Sequence, residues 1–279
     1  MSLKRIAVHL DQGKDCMRRM AVAMQLAKVH DAHVTGIYAS YPDPQYFYDD
    51  SVLTEGAIEV FRTTQTKARI KVEKSFKHLG QTHAVSVSTR HGTGDTADVV
   101  ATHARSNDLL ILGQQNDADT ASISGGRFIE QLLLTAGRPI LVIPSAGTFP
   151  AIGERVLCCW NHSREASRAL ADAAPFLDKA NHLTVLTMNT KPADGQMENM
   201  LMDDLAAYCF AHDYPIVEEI TRDTQGSTAG EMILAVASDC DSDLIVMGAY
   251  GHSRIRQWIM GGATAYLLRE MTLPVLFSH

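Results

Sequence analysis

Residues 248–254 read Gly248-Ala249-Tyr250-Gly251-His252-Ser253-Arg254, and Gly261-Gly262-Ala263-Thr264 follows after a short gap, giving a Gly-x2-Gly-x9-Gly spacing. These residue types in this order suit an anion site. Glycines let main-chain N–H groups approach phosphate oxygens with no Cβ in the way. A helix opening near Gly262 would add free N–H donors and the positive end of its dipole. Thr264 offers a hydroxyl, and His252, Ser253 and Arg254 stand where they could contact a phosphate tail. The same glycines could instead serve only a tight strand exit and a helix start, and spacing alone leaves both readings open.

The elements that would hold this loop are legible because the chain repeats itself. Leu109-Leu110-Ile111-Leu112-Gly113 returns as Leu244-Ile245-Val246-Met247-Gly248, and Pro139-Ile140-Leu141-Val142-Ile143 returns as Pro274-Val275-Leu276-Phe277-Ser278. Both pairs share one offset, 248 − 113 = 274 − 139 = 135. Upstream, Gly94-Asp95-Thr96-Ala97 matches Gly226-Ser227-Thr228-Ala229, and the strand-like run 6–11 matches 156–161. Two copies of one domain, 1–146 and 153–279, joined by a short Gly/Pro-containing connector, is the economical reading.

Each copy alternates strand and helix. In the first, apolar periodicity predicts strands over 5–11, 33–40, 84–90, 109–113 and 139–144, with helices over 15–30, 54–79, 96–105 and 127–135. In the second it predicts strands over 155–160, 183–189, 215–221, 244–248 and 274–278, and helices over 163–178, 195–212, 228–238 and 262–271. Nearly continuous β-branched strands between helices imply parallel sheets covered on both faces. Ligands of doubly wound sheets settle beyond the carboxyl ends of strands where strand order reverses, and the glycine loop and Asn161 leave their strands there.

GAYGHSRIRQWIMGGATAYLLREMTLPVLFSH, with WNHSREASRALADAAPFL at the start of the same half, carries a specific resemblance. The whole chain resembles a tandem universal stress protein, and the second half matches that family's nucleotide motif. The resemblance implies two doubly wound parallel five-stranded sheets, strand order 3-2-1-4-5 in each, paired about a pseudo-two-fold axis through their last strands. It further implies a cytosolic stress-response protein that binds ATP or AMP, with Mg as a candidate companion. By resemblance, Asn161 stands at a position that helps hold ribose and phosphates, and the end of the second strand near Thr187 and Met188 meets the adenine. Two departures stand out: Gly262 replaces the family's Ser/Thr after the third glycine, and Asn161 replaces its Asp.

The first copy reads as a degenerate site. Asp11, Gly113 and Gly126 are kept, but Asn116 stands opposite Gly251 and Arg127 opposite Gly262, and Asp117 and Asp119 would repel phosphate. This copy is expected to hold no nucleotide.

The net charge of −7 argues against a general nucleic-acid partner, which needs a basic face. No apolar run approaches the roughly 20 residues of a membrane span, and with no leader-like segment a cytosolic location is the default expectation. Five cysteines, oddly spaced, are expected to be free, with Cys158-Cys159 as core residues rather than a metal pair with His162. His9, His162 and His279 are expected to be solvated or singly hydrogen-bonded. Gly92-Thr93-Gly94-Asp95-Thr96-Ala97 fits a loose dinucleotide fingerprint, but helix capping by Asp95 or Thr96 explains it more simply. Met197, Met200, Leu201 and Leu205 form a helical stripe expected to pack in the core or between domains.

Three functions follow: a nucleotide-binding regulator acting on an unidentified protein partner, a slow Mg-dependent ATP hydrolase, and a nucleotide-independent scaffold. Whether the fused pair dimerises further is open.

Overall fold

The computed structural model describes residues 2–40, 54–114, 127–188, 195–224, 226–250 and 262–279, without the side chains of 195–199 and 217. They fall into two compact units, Leu3–Arg138 and Pro139–His279.

The first unit runs β1 (Arg5–Leu10), α1 (Cys16–His30), β2 (His33–Ser40), α2 (Glu55–His83), β3 (Val87–Thr93), α3 (Thr96–Ala104), β4 (Leu109–Gly113) and α4 (Phe128–Thr135). β1 lies parallel between β2 and β4, and β3 is parallel to β2. Ile6, Ala7, Val8 and Leu109 to Leu112 are all buried, with no in–out alternation, because helices cover both faces. α3 packs with α4, and α1 packs with α2. The Asp108 carboxylate accepts the Lys4 and Arg5 backbone N–H groups at 2.7 and 2.9 Å, tying β4 to the start of β1.

The second unit runs β5 (Ile140–Ile143), β6 (Arg155–Trp160), α5 (Arg164–Asp172), α6 (Ala174–Leu177), β7 (His182–Met188), α7 (Gly195–Ala211), β8 (Ile216–Arg222), α8 (Ala229–Asp239), β9 (Leu244–Gly248), α9 (Gly262–Glu270) and β10 (Val275–Ser278). Its strands β8-β7-β6-β9-β10 are parallel and realise the expected 3-2-1-4-5 order. β5 adds to β10 antiparallel, Leu141 opposite Leu276, so the last strands of the two repeats pair directly. Asp243 repeats the tie seen at Asp108, accepting N–H groups of Gly153, Glu154 and Arg155.

Several boundaries move for local reasons. α2 runs four residues beyond the expected stop and ends where Ala84 turns left-handed at φ 54°. Gly80 is not a stop: a Cβ there would lie 2.7 Å from Val87 Cγ1, so the glycine lets β3 press on the helix. The helix expected over 163–178 breaks at Ala173, because Pro175 has no N–H to continue the ladder. Asp95 does cap α3, accepting from Ala97 and Asp98 N–H, and Thr228 caps α8 in a reciprocal box with Glu231. Met200, expected in a packed stripe, is 53% exposed, whereas Leu205 is buried: the two lie five residues apart on α7 and face different ways. Cys158 is buried and Cys159 half-buried on opposite faces of β6, and burial pushes the Cys159 thiol up to about 12. Among the described residues no helix is long and apolar enough to cross a membrane.

Candidate functional site

In the second unit β6 and β9 are parallel neighbours, Cys159 opposite Met247, so Asn161 and Gly248 leave the sheet side by side at its carboxyl end. The chain order reverses between these strands, which makes this crevice the sheet's switch point. Asn161 Oδ1 accepts the Ser163 N–H at 3.2 Å and the Ser163 hydroxyl at 2.7 Å. A backbone N–H can only donate, so the bond fixes which end of the amide is oxygen and leaves the Asn161 NH2 as an exposed pair of donors. Ser163 Oγ then accepts the Ala166 N–H at 3.1 Å and caps α5.

The first turn of α5 lies hard against β9. A Cβ on Gly248 would sit 2.5 Å from the Glu165 carbonyl carbon and 2.7 Å from Ala166 N. Glu165 is buried, and its carboxylate accepts from Arg164 Nε at 2.7 Å. Beyond Gly248, Ala249 N–H donates to Ser278 O at 2.8 Å. Tyr250 adopts φ 63° and meets the His279 ring edge-on at 5.9 Å, while His279 Nδ1 lies 3.1 Å from Ala249 O and donates to it. Gly262 opens α9 exposed; among the described residues, a Cβ there would meet nothing within 4 Å. The first turn of α9 carries no acidic residue, and Thr264 is buried within it. On the other flank, Met188 ends β7 opposite Arg222, beside a Thr187–Thr221 hydroxyl pair at 3.0 Å. Trp160 Nε1 donates to His162 Nδ1 at 3.1 Å, placing two aromatic rings next to Asn161.

In the first unit the equivalent crevice lies between β1 and β4, Val8 opposite Ile111. Asp11 Oδ1 accepts the Gly13 N–H at 2.9 Å, the same turn that Asn161 makes. Here, however, Arg19 reaches in from α1. Its Nη2 lies 2.6 Å from Asp11 Oδ1, its Nε donates to His9 O at 2.6 Å, and both charged side chains are buried, 4% and 2% exposed. Arg19 Nη1 lies 3.0 Å from where a Cβ on Gly113 would be. His9 is buried too, 3.9 Å from Asp11 Oδ2 and 4.9 Å from the Phe128 ring centroid. Burial, only partly opposed by Asp11, lowers His9 to about 4, so the ring is neutral. Burial would raise Asp11, but the charge and hydrogen bond of Arg19, with the Gly13 N–H, hold it below its ordinary value.

Comparison with known proteins places this architecture. The universal stress protein family matches residues 2–144 and again residues 153–279. The chain belongs to the universal stress protein family. A curated universal stress protein of Synechocystis sp. (strain ATCC 27184 / PCC 6803 / Kazusa) is 28% identical over 221 residues, 75% of this chain and 71% of that one. A universal stress protein structure from Archaeoglobus fulgidus DSM 4304 superposes with a TM-score of 0.76 at 15% identity, covering 98% of this chain and 97% of the other. A functionally unknown protein from Pseudomonas aeruginosa PAO1 gives 0.61 at 16% identity, over 99% and 92%. At these identities the structural likenesses speak to fold.

In this universal stress protein, Asn161 and Gly248 meet at one crevice, with Met188 on its flank and Gly262, Ala263 and Thr264 starting a helix after the β9 loop. Gly251, His252, Ser253, Arg254 and Gly261 lie outside the described residues, as do Asn116 and Gly126 of the first copy. Asp11 and Gly113 do come together. The expectation that His9 is solvated or singly bonded is overturned: the ring is packed among Asp11, Phe128 and the core. Sequence reasoning missed Arg19, Ser163 and Glu165. A signal for the first existed, because the strand offset of 150 sets Arg19 opposite Ala169.

Proposed function

We propose that the second copy binds an adenine nucleotide, ATP or AMP, and that its occupancy regulates how the protein engages a partner. The observation that carries this reading is the construction of the β6/β9 crevice: Gly248 brings the capped first turn of α5 onto β9, beside the exposed Asn161 with its amide donors. Donors fixed in position and a glycine-lined loop suit anionic oxygens. The start of α9 at Gly262, a helix with no acidic residue in its first turn, supports it. Binding is favoured over hydrolysis because Glu165, the buried carboxylate beside Gly248, is already bonded to Arg164, leaving it poorly placed to activate water.

Gly251→Asn installs the first copy's residue in the loop. Calorimetry should show ATP affinity falling at least about tenfold, as a Cβ crowds the approach of phosphate to main chain; affinity equal to wild type would refute the loop's role. Mass spectrometry of small molecules released from freshly purified protein identifies the ligand, and Mg-dependent phosphate release would move the reading to hydrolysis.

A further inference from the structure

In the first unit α1 packs with α2, and where they meet beside the end of β1 lies a cavity of about 260 Å³, open to solvent on one side. One part of its wall is apolar and rich in sulfur: Cys16, Met17 and Met20 of α1 line it together with Ala68 and Val72 of α2. Cys16 and Met20 are buried while Met17 is 50% exposed, so this wall runs from the core to the surface. Burial pushes the Cys16 thiol up, so it stays protonated and adds no charge. Thioethers are flexible and polarizable, and adapt to apolar ligands of varied shape. The repeat shows that the lining is particular to this copy. The strand offset of 150 puts Ala166, Ser167 and Leu170 at the places of Cys16, Met17 and Met20, so a hydroxyl replaces the exposed methionine.

Two charged side chains line the same cavity, Asp11 and Lys71, and they differ in whether their charge is answered. The Asp11 carboxylate is buried and paired with Arg19 at 2.6 Å. Lys71 is exposed, and among the described residues no carboxylate pairs with it. An apolar wall with one uncompensated cation suits a molecule that has a tail and an anionic head. At the packing density of protein interiors, about 0.75, this volume holds roughly ten non-hydrogen atoms, well short of a nucleotide. We propose that the cavity binds a small amphipathic anion, in class a medium-chain carboxylate, with its tail against Met17 and Met20 and its head beside Lys71. This site is independent of nucleotide binding in the second copy.

The test is calorimetry on the full-length protein with sodium octanoate as the probe. Octanoate should bind one site with a Kd below about 1 mM, and saturating ATP should leave that affinity unchanged. Lys71→Gln should weaken binding at least about threefold, the scale of an exposed ion pair, while Lys74→Gln, a turn away on α2 and outside the cavity, should bind as the wild type does. Ala68→Leu adds three carbons to the wall and should weaken binding at least about tenfold. Octan-1-ol, with the same tail and no charge, should bind at least about threefold more weakly than octanoate. Absence of saturable heat would overturn the site. Wild-type affinity in Ala68→Leu would show that octanoate binds elsewhere. Equal loss in Lys71→Gln and Lys74→Gln, or equal binding of the alcohol, would remove the anionic head from the proposal. Displacement of octanoate by ATP would hand the cavity to a nucleotide and overturn the assignment. The Lys71 and Lys74 variants change only exposed side chains, so they decide the matter even if Ala68→Leu does not fold.

Discussion

Adding a single methyl group at Gly248 should cost the second copy far more than the same change at Gly113 costs the first. A Cβ at Gly248 falls 2.5 Å from the Glu165 carbonyl carbon and 2.7 Å from Ala166 N, both backbone atoms of a capped helix turn. Ordinary carbon contacts are about 3.5–4.0 Å, so α5 would have to retreat by about 1 Å, pulling the buried Ala166, Ala169 and Leu170 off the sheet. Overpacking of this kind costs about 1–3 kcal/mol, and a clash with backbone belongs at the upper end. For a domain of this size 1 kcal/mol is roughly 3–5 °C, so Gly248→Ala should melt about 10 °C lower. At Gly113 the nearest atom is Arg19 Nη1 at 3.0 Å, the end of a flexible side chain that can give way, so about 1 kcal/mol is expected. Both tryptophans of the chain, Trp160 and Trp258, belong to the second copy, so thermal melting followed by tryptophan fluorescence reports that copy alone. If Gly248→Ala melted within about 2 °C of wild type, the close approach of α5 to β9 would be wrong.

Two further outcomes follow from the crevices. His9 in the folded first copy takes a proton only near pH 4, against 6.5 when unfolded, so the unfolded chain binds the extra proton between those values. Stability of the first copy should therefore rise with pH from 4 to 6.5, by about 3 kcal/mol at 1.36 kcal/mol per pKa unit, and be flat above. His9→Gln should abolish that slope in urea titrations followed by circular dichroism, and parallel profiles for the two proteins would refute the assignment. Asp11 acts in a separate window, since its depressed pKa contributes stability that is lost only as pH falls below its ordinary 3.8. At the second crevice, Asn161→Asp replaces an amide donor with a carboxylate facing phosphate. Tryptophan quenching should show ATP binding about tenfold weaker in EDTA, with Mg recovering most of the loss; tighter binding in EDTA would show that Asn161 does not donate to the ligand.

The order of strands and helices, the duplication and the cap at Asp95 were legible because each depends on neighbours in the chain: apolar period, turn residues, a short polar side chain before a helix. Gly248 could be read as part of a motif, yet its need to be glycine comes from Glu165 and Ala166, some 80 residues upstream. Gly80, one residue past the expected helix end, lies inside α2 and serves as the contact face for Val87. Arg19 reads as a surface residue of an amphipathic helix. It is buried because Asp11, reached through the turn after β1, meets it where β4 passes beneath.

Taken alone, the amino-acid sequence determined that there are two α/β copies and which loop has the chemistry to hold an anion, since local periodicity and glycine spacing are properties of the chain itself. Which charges are buried against each other only the tertiary structure decided. Burial of an ion pair is set by groups brought together from separate elements, and no single stretch of sequence contains both the charge and the reason it leaves water.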